Sequence, residues 1–241
     1  MGAIVPTLLV ADEDELEEKL AKIDGIVTDI QIDVIDGKFA IPATWPYTET
    51  SNKFTQSVQQ GEILSCCEKF NIEADLMVTD IAEVADKWSV VGASRLILHA
   101  TNIADIESTL THLEKYFGYE KNTAPNIILI GVALTVEDDL TLLESIINRI
   151  NFIQCMGIAH VGLQGEPFDE RVFNTIQYVR SHYPNMPIQV DGGVSLNSAP
   201  ALLKVGVSRL IIGSAIWKAP DVVERIHEFE DMVQQYGIYE S

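Results

Sequence analysis

The chain is short of cysteine, of positive charge and of long apolar runs. Only three Cys occur in 241 residues, two of them adjacent (Cys66, Cys67) and none in C-x-x-C spacing. That set supplies neither a disulfide framework nor a thiolate metal site, and it predicts a reducing, cytoplasmic setting. Lys and Arg number 16 against 36 Asp and Glu, a formal net charge of −20. Such a surface repels nucleic acid and anionic membrane, so neither is expected as a partner. An anionic small molecule would have to be held by backbone amides. No stretch approaches the roughly 18 apolar residues of a membrane span, and no basic segment precedes the first apolar run, so neither a span nor a signal peptide is expected.

What the chain does have is regular alternation. β-branched and apolar runs predict strands over 3–10, 27–34, 71–78, 95–99, 126–134, 152–156, 187–190 and 208–212. Between them, helical spacing predicts helices over 12–23, from 53 through 70, and over 80–91, 103–117, 135–150, 168–183, 196–205 and 215–236, the last broken at Pro220. Even alternation of this kind over one chain predicts an α/β fold, a single (β/α)8 TIM barrel spanning 1–241, rather than an open doubly wound sheet. The heptapeptide Val91 to Ile97 (VGASRLI) recurs as Val205 to Ile211 (VGVSRLI), four units later, as two related half-barrels would leave it. The longest loop, 38–53, is read as a lid or binding loop.

In such a barrel the chemistry sits at the C-terminal ends of the strands. The residues there are Thr7, Gln31, Asp33, Asp36, Asp75, Met77, His99, Met156, Asp191, Gly192, Gly193, Gly213 and Ser214. Acids are costly in strands buried on both faces unless they have partners or work to do, which singles out Asp33, Asp75 and Asp191. Strand alternation sets Gln31 and Asp33 on one side and Asp36 on the other, where a carboxylate before Gly37 caps a turn.

The ordered motifs resemble the ribulose-phosphate 3-epimerase family. Its opening Pro-Ser strand is similar to Pro6 to Asp12, and its His-x-Asp-Val-Met-Asp-Gly signature to Gln31 to Gly37 followed by Phe39 and Pro42. Its His-Leu-Met-Val is similar to Asp75 to Val78, its strand-four His to His99, and its closing motifs to Val190 to Val194 and Gly213 to Trp217; the Gly-rich loop at Gly162 to Phe168 matches loosely. The resemblance implies inversion at C3 of a ketopentose phosphate, D-ribulose 5-phosphate to D-xylulose 5-phosphate, a step of pentose phosphate metabolism. It implies Asp33 and Asp191 as the acid and base flanking an enediolate, three strands apart around the ring. The small phosphorylated sugar is expected to rest on Gly192, Gly193, Gly213 and Ser214, with Thr7, Met77, His99, Met156, Gln164 and Gly165 completing its site.

The departures are at the family's two metal-binding histidines, which here are Gln31 and Asp75. Any cation site would be built from Gln31, Asp33, Asp75 and Asp191, oxygen only, favouring magnesium or manganese over zinc. Two accounts follow: a harder metal or none, or an activity lost or changed. Alternatives are another phosphosugar enzyme of the hexulose-phosphate synthase or decarboxylase kind, against which Asp33 stands where those relatives carry Lys, and a non-catalytic phosphosugar-binding protein. A homo-oligomer is expected. So is loss of activity in Asp191→Asn but not in Gln31→Ala.

Overall fold

A computed structural model describes residues 3–48, 53–99, 103–117, 128–162 and 165–237. In it the alternating runs close into one parallel barrel, each strand bonded to the next in chain order and the eighth to the first. The strands are β1 (Ala3–Leu8), β2 (Asp29–Ile35), β3 (Asn71–Met77), β4 (Arg95–His99), β5 (Leu129–Leu134), β6 (Phe152–Met156), β7 (Ile188–Asp191) and β8 (Arg209–Ile212). The helices are α1 (Glu13–Ile23), α2 (Lys53–Gln60), α3 (Ile81–Val90), α4 (Ile103–Phe117), α5 (Leu143–Ile146), α6 (Val172–His182), α7 (Ala199–Lys204), α8 (Ser214–Trp217) and α9 (Val222–Tyr236). Among the described residues no helix is long and apolar enough to cross a membrane.

Local chemistry sets these boundaries. The Asp12, Asp80 and Asp221 carboxylates accept from N–H groups in the first turns of α1, α3 and α9. Leu16, Leu20 and Ile23 then turn the apolar stripe of α1 onto the barrel wall. Two helices fall short of expectation. The one predicted through residue 70 stops at Gln60, because Gly61 takes a left-handed φ of 69° and the chain resumes only as a 3-10 turn over Ser65–Glu68. The one predicted over 135–150 breaks into three short turns, since Asp138 and Asp139 accept from the Thr135 and Thr141 N–H groups. As expected, Pro220 separates α8 from α9.

The repeated heptapeptide has a structural cause. Gly92 and Gly206 turn the chain at φ 102° and 86°, and Ser94 and Ser208 each donate, through N–H and hydroxyl, to one carbonyl of the preceding strand, Ile72 and Ile188. Arg95 and Arg209 then point into the lumen, where both pair with Glu73. The lumen is therefore charged where branched apolar layers are the common filling. Glu73 is satisfied by the two arginines and by Gln189 (2.8 Å), and Gln189 also donates to Gln154 at 2.7 Å. The ring of Phe152 fills the space beside this layer, with the Arg95 guanidinium 3.8 Å from its centroid. Gly131 makes the room: a Cβ there would lie 2.2 Å from the ring.

Candidate active site

The barrel register brings the strand-end acids to one level. Asp33 pairs in register with Asp75 on the neighbouring strand, and Asp191 lies three strands away from Asp33 around the ring. All three are buried, and one oxygen from each lies within 4.8 Å of the others. Each has a donor. Thr7 Oγ1 donates to Asp33 Oδ1 at 2.6 Å. Gln31 Nε2 lies 2.9 Å from Asp33 Oδ1 and 2.9 Å from Asp191 Oδ2, so one carboxamide spans the two acids. Asp75 is held by His99 Nε2 at 2.8 Å and by Gln154 Nε2 at 3.3 Å.

Burial dominates the electrostatics. It pushes the Asp33 carboxyl up to about 6, helped by the charge of Asp75 and opposed by the hydrogen bonds from Thr7 and Gln31. Burial, then the charges of Asp33 and Asp75, hold Asp191 well above the ordinary carboxylate range. Such carboxyls can take and return protons near neutrality. Asp36 behaves differently. It faces away from the lumen and accepts from the N–H groups of Lys38, Phe39 and Thr79, which keep its carboxyl low despite partial burial.

A cleft opens above the acids, lined by Thr7, Met77, Met156, Gly165, Gly192, Gly193, Gly213 and Ser214 among others. These expected substrate-side residues therefore share one wall with Asp33, Asp75 and Asp191. Gly192 and Gly193 take φ of 93° and 66°, and a Cβ on Gly193 would stand 2.6 Å from the Phe168 backbone, so only glycine fits this turn. None of the described residues accepts from the Gly193 or Ser214 N–H groups. The turn carrying Ser214 is tied to the mouth by Trp217 Nε1, which donates to the Thr7 carbonyl at 2.6 Å. His99 stands behind Asp75, edge-on to Phe39, and does not line the cleft. Gln164 lies outside the described residues.

Two residues were not singled out from the sequence. Gln154, which braces Asp75, shares the lumen face with Met156 two residues on, and that period was its only signal. Glu166 lines the cleft from the Gly-rich loop, and nothing in its local pattern marks it.

Fold and site together define a (β/α)8 barrel whose mouth sets three buried carboxyls beside free backbone amides. Residues 3–217 match the model of the ribulose-phosphate 3-epimerase family, and the chain belongs to that family. It is 24% identical to the ribulose-phosphate 3-epimerase of Schizosaccharomyces pombe, over 96% of this chain and 94% of the relative. To that of Aquifex aeolicus it is 24% identical, over 97% of each. Its fold is similar to that of the 3-hexulose-6-phosphate synthase of Salmonella typhimurium, with a TM-score of 0.68 at 14% identity over 97% of this chain and 99% of that one.

Proposed function

We propose that the protein inverts C3 of a ketopentose phosphate, interconverting D-ribulose 5-phosphate and D-xylulose 5-phosphate. The observation that carries this reading is the pair Asp33 and Asp191, two buried carboxyls from separate strands, raised toward neutrality and joined through a single amide nitrogen. Epimerisation beside a ketone needs one ionised and one protonated group, on opposite faces of the carbon. Crowded carboxylates provide that state, because they resist ionising together. The ionised member takes the C3 proton, the C–H electron pair passes into an enediolate with charge on the C2 oxygen, and the protonated member returns a proton to the other face. Each turnover leaves the two protonation roles exchanged, and exchange with solvent or reverse turnover resets them.

The substrate phosphate is assigned to the amides of Gly193 and Ser214, with Gly192 and Gly213 shaping the cradle. Amides bind an anion without a cation, which suits this acidic chain. The donor set also fits a hard divalent ion of the magnesium or manganese kind. Three carboxylates converge, one oxygen from each within 4.8 Å of the others. Asp33, Asp75 and Asp191 would hold such an ion, and it would supply positive charge to the enediolate oxygens; Gln31, expected as a fourth ligand, turns Nε2 rather than Oε1 toward Asp33 and Asp191. His99 acts by holding Asp75. A synthase or decarboxylase reading has less support, since no lysine lines the cleft among the described residues.

Proton exchange tests the assignment. In D₂O the protein should wash deuterium into C3 of ribulose 5-phosphate while xylulose 5-phosphate accumulates. Binding of the sugar phosphate without exchange would leave only the binding-protein reading.

A further inference from the structure

We propose that Gln31 is a positioning residue: its carboxamide holds the acid pair assembled without a cation. The inference rests on the two-aspartate reading and extends it to a side chain that the sequence marked as a lost histidine and a candidate cation ligand. Gln31 is fully buried, and its nitrogen carries two hydrogens. With acceptors at 2.9 Å on both sides, one hydrogen goes to Asp33 and the other to Asp191. Thr7 Oγ1, 3.2 Å from the same nitrogen, closes the group by donating to Asp33.

The orientation of the carboxamide is assigned through its hydrogen bonds, which place Nε2 between the two acids. Turned over, Oε1 would face an ionised carboxylate oxygen on at least one side, and the single donor that spans both acids would be lost. As placed, Oε1 pays for the bridge by going without a partner. A buried amide that leaves its acceptor unused in order to donate twice is held by the acids, and it holds them in return. Two carboxylates that would otherwise repel are fixed at the separation set by one nitrogen. Such a spacing keeps both within reach of a single carbon. The proposal therefore predicts that Gln31→Ala is not tolerated, the opposite of the expectation from the sequence.

The experiment uses the full chain freed of metal by chelation. Wild type should retain deuterium exchange at C3 of ribulose 5-phosphate. Gln31→Leu, similar in size but without the bridge, should lose about 10²-fold in kcat, with KM changed less than about threefold. A structural role alone would move both or neither. The bridge itself is read by NMR of the wild-type Gln31 side-chain amide: two slowly exchanging protons, one shifted by Asp33→Asn and the other by Asp191→Asn. Full exchange activity in folded Gln31→Leu, exchange in wild type that appears only on adding magnesium or manganese, or amide protons indifferent to both Asp variants would overturn the proposal. Should no protein exchange ribulose 5-phosphate under any condition, the epimerase reading falls, while the amide spectra still decide the bridge.

Discussion

Replacing Asp33 by Asn should make the protein more stable above neutral pH. An ordinary Asp titrates near 3.8, and burial with the neighbouring Asp75 raises Asp33 to about 6. The folded state therefore holds this proton more tightly than the unfolded chain does. Below pH 3.8 both states are protonated and the group costs nothing. Between about 4 and 6 the unfolded chain releases the proton first, so stability falls as pH rises, and above about 6 the penalty is constant. At ~1.4 kcal/mol per pH unit, the gap between 3.8 and about 6 corresponds to about 3 kcal/mol. Asn keeps an oxygen for Thr7 and Gln31, and its new N–H₂ faces the acid cluster. Melting in chelator at pH 8 should show Tm raised by roughly 3 to 10 °C over wild type, allowing for relaxation of the remaining acids. The difference should shrink toward zero near pH 4. A variant no more stable than wild type at pH 8, or a difference that does not depend on pH, refutes the argument that burial and charge crowding set this carboxyl.

Asp191→Asn should lower C3 deuterium exchange by at least about 10²-fold while sugar phosphate binding, measured calorimetrically, persists. Gly193→Ala places a Cβ 2.6 Å from the Phe168 backbone at a left-handed φ; it should destabilise by about 1–3 kcal/mol in urea melts and weaken inorganic phosphate binding. Gly131→Ala drives a methyl into the Phe152 ring and should cost about 1–3 kcal/mol with little change in KM. Glu73→Leu strands Arg95 and Arg209 in the lumen and should lower stability by about 3–5 kcal/mol, the largest loss of the set.

The barrel was legible because parallel strands buried on both faces read as continuous apolar runs, and eight of them at even spacing leave few topologies. Helices were less legible where side chains competed with the backbone. Leu140, Leu143, Ile146 and Ile150 carry helical spacing, yet Asp138 and Asp139 draw nearby N–H groups into turns. Asp33 and Asp191 stood out because an acid in a buried strand is expensive. Gln31 stood out only as a replaced histidine and candidate ligand; its bridge was not legible, since it lies in two partners, one of them 160 residues away. The charged lumen hid for a related reason. Arg95 and Arg209 open their strands, where an arginine reads as a solvent-facing end, and only barrel closure turns both onto Glu73.

That lower layer also explains how the mouth can work. Arg95 and Arg209 would hold nearby carboxyls ionised and too weakly basic to take a proton from carbon. Between them and the mouth lie Gln189 and Gln154, two neutral carboxamides that pass a hydrogen bond up to Asp75 without passing charge. Asp33 is set by burial and the charge of Asp75 against the hydrogen bonds of Thr7 and Gln31, and Asp191 by burial and the charges of Asp33 and Asp75. Glu73 absorbs the positive charge below. The stacking is thus a division of labour: ion pairs hold the strands together at the base, amides insulate, and Asp33 and Asp191 above keep the raised proton affinity that the proposed exchange with carbon requires.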